Sequence, residues 1–300
     1  MRRKVRIRPL IVCFALATAD SWVGAQEPVQ PDPAPPTEQT PTTVAKPSAD
    51  ADPTRDREQA IADQLLKELQ VGEALQLGAE GERFLGLFTA SAGEKKGGVL
   101  LLHGLGDHPN SAGAIRALRT RLPAGGWATL AIQLPNPAPH ESRAAYGGLV
   151  EKAVARTRLG VDYLRQQQVG NVVLIGHDLG AVIALVAAVE PRPSEVKALV
   201  TLGLAPADDL EPSLDVFAAL AGNNLPLLDI YGGMDSKQVM ASRARRANAA
   251  RNASAGVGPY EQLQIDGATH EFNAVGDELV KRVRGWLQRL LQPTSVRRGP

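Results

Sequence analysis

The stretch Val172-Val173-Leu174-Ile175-Gly176-His177-Asp178-Leu179-Gly180-Ala181-Val182-Ile183-Ala184-Leu185 decides the fold. An apolar run of strand length meets a five-residue turn, and a second apolar run follows. That order predicts strand, tight turn, helix. Glycines at 176 and 180 leave room around residue 178, so its side chain can project from the end of a buried strand. The helix beginning at Leu179 points its amino end at the same place, where its dipole and free N–H groups favour an anion. Asp178 is therefore expected to stay ionised there.

The pattern extends outward from this junction. Ile61, Leu65, Leu66 and Leu69 share one face of a helix that begins near Arg57. Ala74–Leu77 and Phe84–Phe88, separated by Gly78-Ala79-Glu80-Gly81, read as an opening hairpin. Further strands are expected at Val99–Leu102, Trp127–Leu134, Val172–Ile175, Val196–Leu202, Leu225–Tyr231 and Glu261–Ile265. Helices are expected at Ala112–Leu122, Ala145–Gln167, Leu179–Val189, Asp208–Leu220, Ser236–Arg251 and Ala274–Leu291. Near-continuous apolar strands alternating with helices specify an α/β chain. Its expected form is a three-layer α/β/α sandwich around a mostly parallel eight-stranded sheet. The apolar run Val182–Val189 is too short to span a bilayer and reads as a buried helix of the sandwich.

The ends differ from this body. Arg2, Arg3, Lys4, Arg6 and Arg8 precede the short apolar stretch Leu10–Ala19, and Val23-Gly24-Ala25 offers small residues for cleavage. Residues 1–25 thus have the form of a signal peptide cleaved after Ala25, which implies a periplasmic or secreted protein. Residues 26–55 are rich in proline, threonine, aspartate and alanine and lack the apolar side chains needed to offset ordering entropy, so they are expected to form a disordered linker. The folded domain is expected over residues 56–292, with a disordered polar tail at 293–300. Residues 1–25 hold five basic residues and one acid. Removing these from the 33 Lys+Arg and 32 Asp+Glu of the whole chain leaves 28 and 31, a net charge of −3. That balance argues against a nucleic-acid partner. The single cysteine, Cys13, lies within the leader, so the remainder contains neither disulfide nor thiol chemistry. Gly104-x-Gly106 lacks the third glycine of a dinucleotide fingerprint, no phosphate-binding loop of the G-x-x-x-x-G-K type occurs, and no His/Cys spacing suits a metal. No cofactor and no metal are expected, and the anticipated partner is a small-molecule substrate or ligand.

In doubly wound sheets, ligands bind at the carboxyl ends of the strands. His103-Gly104-Leu105-Gly106 follows the third expected strand, Asp178 the fifth, Gly232-Gly233-Met234-Asp235 the seventh and Gly267-Ala268-Thr269-His270 the eighth. Residues 97–290 with these features resemble the α/β-hydrolase superfamily. The leader, proline-rich spacer, opening hairpin and non-serine elbow together resemble a bacterial family of periplasmic α/β-hydrolase-like proteins of unassigned function. The resemblance implies a nucleophile elbow at Gly176–Gly180 with Asp178 in the serine position, Asp235 as orienting acid and His270 as base. It also implies an oxyanion hole from the backbone N–H groups of Leu105 and Leu179, with Gly104 in the oxyanion loop. His177 is read as packing behind the elbow and His103 as packing the loop. His108 and His140 lie on loops that can flank the site, and Tyr146 and Tyr163 are read as helix-face packing rather than as stand-ins for the tyrosines that a cap supplies in some members of the superfamily.

The aspartate changes the chemistry. A carboxylate attacking an ester carbonyl would form an anhydride, whereas attack on an alkyl carbon forms a stable ester that a histidine-activated water can hydrolyse. Gly176-His177-Asp178-Leu179-Gly180 is similar to the elbows of epoxide hydrolases and haloalkane dehalogenases. The chain departs from them at three places. Leu179 replaces their usual tryptophan, only Ala205–Asn224 separates two strands where they insert a helical cap, and the oxyanion loop is closer to that of lipases and esterases. Ser111 and Ser142 lie on loops without elbow geometry. Two readings result: an exported hydrolase using Asp178, most compatible with an alkyl electrophile such as an epoxide, or a degenerate binding or scaffold protein that keeps the fold.

Overall fold

The computed structural model describes residues 53–137, 141–189, 191–251 and 258–291. The leader, nearly all of the linker, the polar tail and His140 lie outside the described residues.

Eight strands form one sheet: β1 (Glu73–Leu77), β2 (Phe84–Thr89), β3 (Gly97–Leu102), β4 (Trp127–Ile132), β5 (Val172–His177), β6 (Val196–Leu202), β7 (Leu227–Met234) and β8 (Tyr260–Thr269). Their order is β1-β2-β4-β3-β5-β6-β7-β8. The opening hairpin pairs antiparallel, with Leu75 opposite Gly86, and β2 is also antiparallel to β4. Every pairing from β4 onward is parallel.

The helices are α1 (Pro53–Glu68), α2 (Ala114–Arg121), α3 (Val150–Gln166), α4 (Leu179–Ala187), α5 (Val216–Gly222), α6 (Lys237–Arg251) and α7 (Gly276–Leu290). They cover both faces of the sheet because the strands alternate. In β3, Leu100 and Leu102 join a core with residues of α3, α4 and α5, while Val99 and Leu101 join a second core with α1, α2 and α7. In β5, Val172 and Leu174 divide from Val173 and Ile175 in the same way. This is the period-2 arrangement expected of strands buried on both faces.

A buried ion pair fastens α1 to α3 beside β2. Glu58 Oε2 meets Arg156 Nη2 of α3 at 2.7 Å, and the Arg156 guanidinium lies over the Phe84 ring.

Several expected boundaries move. The helix placed at Asp208–Leu220 is confined to α5, with Asp215 accepting from the N–H groups of Phe217 and Ala218 as its cap. Ahead of it, Ala207 and Leu214 form an isolated bridge. Pro212 lies between them, and a residue without an N–H breaks a helix interior. A 3₁₀ turn at Arg143–Leu149 replaces the first part of the expected helix from Ala145, and α3 follows it. Gly147 and Gly148 weaken the helix there. β8 extends through Thr269, and β7 through Met234, because Met234 and Thr269 still pair beyond a local shift in register. Only residues 203–226 join β6 to β7, and α5 is their one helix, so no cap domain is inserted. No helix among the described residues is long and apolar enough to cross a membrane.

Candidate active site

Asp178 is the turn between β5 and α4, with φ 51° and ψ −119°. A left-handed φ is unfavourable for an aspartate and persists only where surrounding packing enforces it. The packing is close. A Cβ on Gly176 would lie 2.1 Å from the Gly180 carbonyl oxygen, and one on Gly180 would lie 2.2 Å from that of Leu102. A Cβ on Gly104 would approach Asp178 Cβ to 3.1 Å. The glycines read from the sequence are therefore those the turn requires.

The two carboxylate oxygens of Asp178 have different surroundings. Oδ2 accepts from the Leu105 N–H at 3.1 Å. Oδ1 faces His270 Nε2 at 3.7 Å and Arg143 Nη1 at 3.6 Å. The expected oxyanion donor Leu105 thus touches the carboxylate itself. Leu179 is buried and opens α4, and among the described hydrogen bonds its N–H makes none to Asp178. Burial alone would raise the Asp178 pKa. His270, the Leu105 N–H, His177 and Arg143 outweigh it and hold the carboxyl well below the usual carboxylate range. Specific neighbours thus favour the charge that the sequence led us to expect at this position.

His270 begins immediately after β8, and its Nδ1 meets Asp235 Oδ1 at 2.6 Å. The Asp235 side chain is fully buried and also accepts from the N–H groups of Gly232 and Ser236, at 3.0 and 2.7 Å. Burial opposes its ionisation, but the His270 contact and these two donors depress its pKa. Ser236, not Asp235, caps α6, accepting from the Val239 N–H at 3.3 Å. Asp178 first and Asp235 second raise the His270 pKa to about 10 against the effect of burial. The resting histidine is therefore an imidazolium near neutral pH, with a carboxylate on each side.

The other histidines lie largely where the sequence put them. His177 is buried behind the elbow; its Nε2 lies 3.0 Å from the His270 carbonyl oxygen, and the two rings are 5.0 Å apart. His103 is fully buried and accepts from the Leu134 N–H through Nε2. Burial lowers its pKa to about 4, so it remains neutral and ties the β3 loop to the end of β4. His108 lies in the loop before α2, where its Nδ1 accepts from the Asn110 N–H. Ser111 Oγ bonds to the His108 carbonyl. Tyr163 packs edge-on against Phe88. Tyr146 is fully buried with its hydroxyl unpartnered among the described residues, and burial, then the charge of Asp178, raises its pKa.

Sequence reasoning missed Arg143 and Asp209. Arg143 Nε donates to Asp209 Oδ2 at 2.8 Å, while the same guanidinium faces Asp178. Neither residue lies in a motif. The 3₁₀ turn and the β6–α5 connection bring them together.

Gly203 supplies a direct test of this geometry. Its φ is +60°, and a Cβ there would lie 2.8 Å from His270 Cε1. Gly203→Ala is expected to displace the imidazole from Asp235, so that His270 titrates well below 10, towards the ordinary 6.5. Histidine NMR titration checks this, and an unchanged titration would exclude the proposed crowding.

An aspartate elbow, an acid after β7 and a histidine after β8, on a sheet of this order, define an α/β-hydrolase-like protein. The chain belongs to the family described as "Protein of unknown function (DUF3530)", whose model matches residues 7–149 and 144–289. It is similar in structure to Est1E from Butyrivibrio proteoclasticus, with TM-score 0.59 and 16% identity over 72% of this chain and 98% of that one. Dienelactone hydrolase from Anabaena variabilis matches with TM-score 0.58 and 25% identity over 72% of this chain and 96% of its own. A putative alpha/beta hydrolase from Agrobacterium tumefaciens matches with TM-score 0.57 and 18% identity, over 73% and 96% of the two chains. No curated protein sequence matches the chain.

Proposed function

We propose that the protein is an exported hydrolase in which Asp178 attacks an alkyl carbon, His270 drives hydrolysis of the resulting ester, and Asp235 orients His270. The observation that carries this reading is the division of labour at the Asp178 carboxylate. Oδ2 rests on the Leu105 N–H, while Oδ1 faces His270 and is free of any hydrogen bond shorter than 3.5 Å among the described residues. After alkylation of Oδ1, the carbonyl oxygen of the ester already lies at its stabilising donor. Ester formation also removes the charge of Asp178, the largest cause of the raised His270 pKa. The imidazole then becomes a better proton acceptor at the stage that needs a base.

The names of the structural neighbours point to esters and lactones. A carboxylate nucleophile does not suit these, because its product would be an anhydride. A strained cyclic ether suits it better. Export rests on the basic and apolar leader ending at Ala25, and the secreted chain is expected to begin at Gln26.

The test is mass spectrometry of the His270→Gln variant after incubation with epoxides and haloalkanes. An adduct of the electrophile's mass on the peptide carrying Asp178 is expected, above all from the haloalkanes, whose halide leaves without a proton from residue 270. A second reading, a binding or scaffold protein, is favoured by one observation: only residues 203–226, with α5 as their one helix, stand where a substrate-enclosing cap would be inserted. Absence of any adduct, together with an inactive wild type on these substrates and on esters, would overturn the hydrolase reading for those substrates.

A further inference from the structure

We propose that Arg143, aligned by Asp209, stabilises the oxygen released when Asp178 opens a neutral epoxide, and so performs at the sheet edge a task for which no cap is present. This rests on Asp178 acting as the nucleophile.

Geometry supplies the first argument. Arg143 Nη1 lies 3.6 Å from the attacking oxygen Oδ1, beyond a committed hydrogen bond yet beside the reaction space. The guanidinium is not free to wander, because Nε is held by Asp209 at 2.8 Å. A planar fork held at Nε turns its Nη1 group towards Asp178, so less side-chain entropy remains to be lost when it binds oxygen. Arg143 is about three-quarters buried, at 24% side-chain exposure, so its charge acts with limited solvent screening.

Charge supplies the second. Arg143 and His270 each have a carboxylate partner besides Asp178, namely Asp209 and Asp235. Alkylation of Asp178 therefore strands neither cation. Conversely, an anionic substrate would meet three carboxylates against two cations. The arrangement selects an uncharged electrophile. It also selects one whose departing atom is oxygen: guanidinium and imidazolium both donate to oxygen, and Leu179 stands where a halide-holding tryptophan would be.

The steps balance. Asp178 Oδ1 bonds to a ring carbon, and the ring C–O bond breaks with its electron pair kept on oxygen. Arg143 hydrogen-bonds that oxygen as it gains charge but cannot itself give up a proton. The proton comes from the His270 imidazolium, leaving a hydroxyalkyl ester and neutral imidazole. Water then adds to the Asp178 ester carbon, passing one proton to His270 while charge collects on Oδ2 at the Leu105 N–H. Collapse breaks the bond between that carbon and Oδ1. The second hydrogen of the water moves to the departing alkoxide, restoring the carboxylate and the imidazolium and releasing a diol.

The experiment compares wild type, Arg143→Gln, Arg143→Lys and Asp209→Asn in single turnovers, with formation of the Asp178 ester followed by rapid quench and mass spectrometry. One substrate is an unactivated alkyl epoxide and the other a bromoalkane of the same chain. Arg143→Gln is expected to slow ester formation from the epoxide by about 10²–10³-fold, the usual effect of losing a donor to a developing oxyanion. Its effect on the bromoalkane, which releases no oxygen, should be far smaller. Arg143→Lys should recover part of the epoxide rate, and Asp209→Asn should lose part of it with the same substrate dependence. Equal loss on both substrates, or loss on neither, overturns the role of Arg143 while leaving Asp178 as nucleophile. No Asp178 ester in wild type or in His270→Gln with either substrate overturns the nucleophile reading, and this one with it.

Discussion

Replacing Asp178 by asparagine is expected to abolish turnover and to move the titration of His270 in the same variant. Removal of a nucleophile from a site of this kind costs on the order of 10⁴-fold or more in rate. The titration is the more specific readout, because it does not depend on finding the substrate. Asp178 is the largest cause of the raised His270 pKa, and Asp235 remains in the variant. His270 should therefore titrate between the ordinary 6.5 and the parent value of about 10.

A stability difference follows with a definite sign. A raised histidine contributes stability that is fully present below its unfolded pKa and is lost as pH rises through its folded pKa. The contribution of His270 is thus complete below 6.5 and fades as pH approaches and passes about 10. The depressed Asp178 contributes above its unfolded value of 3.8 and loses that contribution as pH falls through its lower folded pKa. The wild type should gain most over Asp178→Asn between these limits, and the share of that gain that comes from the His270 imidazolium should be lost above about pH 10. The left-handed backbone at residue 178 is present in both proteins and cancels. Denaturant titrations at several pH values measure the difference, and a gap that widens at alkaline pH would exclude the ion-pair account.

The site divides into a part that was legible in the sequence and a part that was not. Asp178, Asp235 and His270 could be read because each lies at the end of a strand, and strand ends are marked by the point where an apolar run stops. The parallel order then brings those ends to one edge. Arg143 and Asp209 could not be read this way. They are 66 residues apart, and the contact depends on how a 3₁₀ turn and an irregular connection lie over the sheet. The misplaced helix at Asp208–Leu220 has the same origin. Leu210, Leu214 and Leu220 allow a helical face, but Pro212 prevents the backbone pattern, and Asp215 starts the helix later. The short expected extent of β8 reflects its place at the sheet edge. Glu261, Gln262, Gln264 and Asp266 give it little of the apolar run that marks a central strand, although it pairs with β7 along most of its length.

The largest loss of stability is expected from Arg246→Met. Asp229 and Arg246 are both fully buried, with Arg246 Nε 2.9 Å from Asp229 Oδ2. That oxygen also accepts from Tyr260 Oη and Gln262 Nε2, each at 3.0 Å, while Oδ1 accepts from Thr201 at 3.1 Å. Burial, reinforced by Asp229, pushes the Tyr260 hydroxyl pKa upward, so it stays a donor. Arg246 in turn donates from Nη1 to the Val239 carbonyl and to Ser242 Oγ. The cluster fastens α6 to β6, β7 and β8, below the edge that carries Asp235 and His270. Removing the guanidinium leaves a carboxylate in the interior with no counterion, which costs about 3–5 kcal/mol. In a domain of this size that corresponds to a fall in Tm of about 6–20 °C. The double variant Asp229→Leu with Arg246→Met removes both charges together and should recover much of the loss, because the penalty lies in the unpaired charge more than in the pair's own attraction. Paired denaturation curves of the single and double variants check this. A double variant less stable than Arg246→Met alone would show instead that the hydrogen bonds from Tyr260, Gln262 and Thr201 hold the cluster, with Asp229 as their common acceptor.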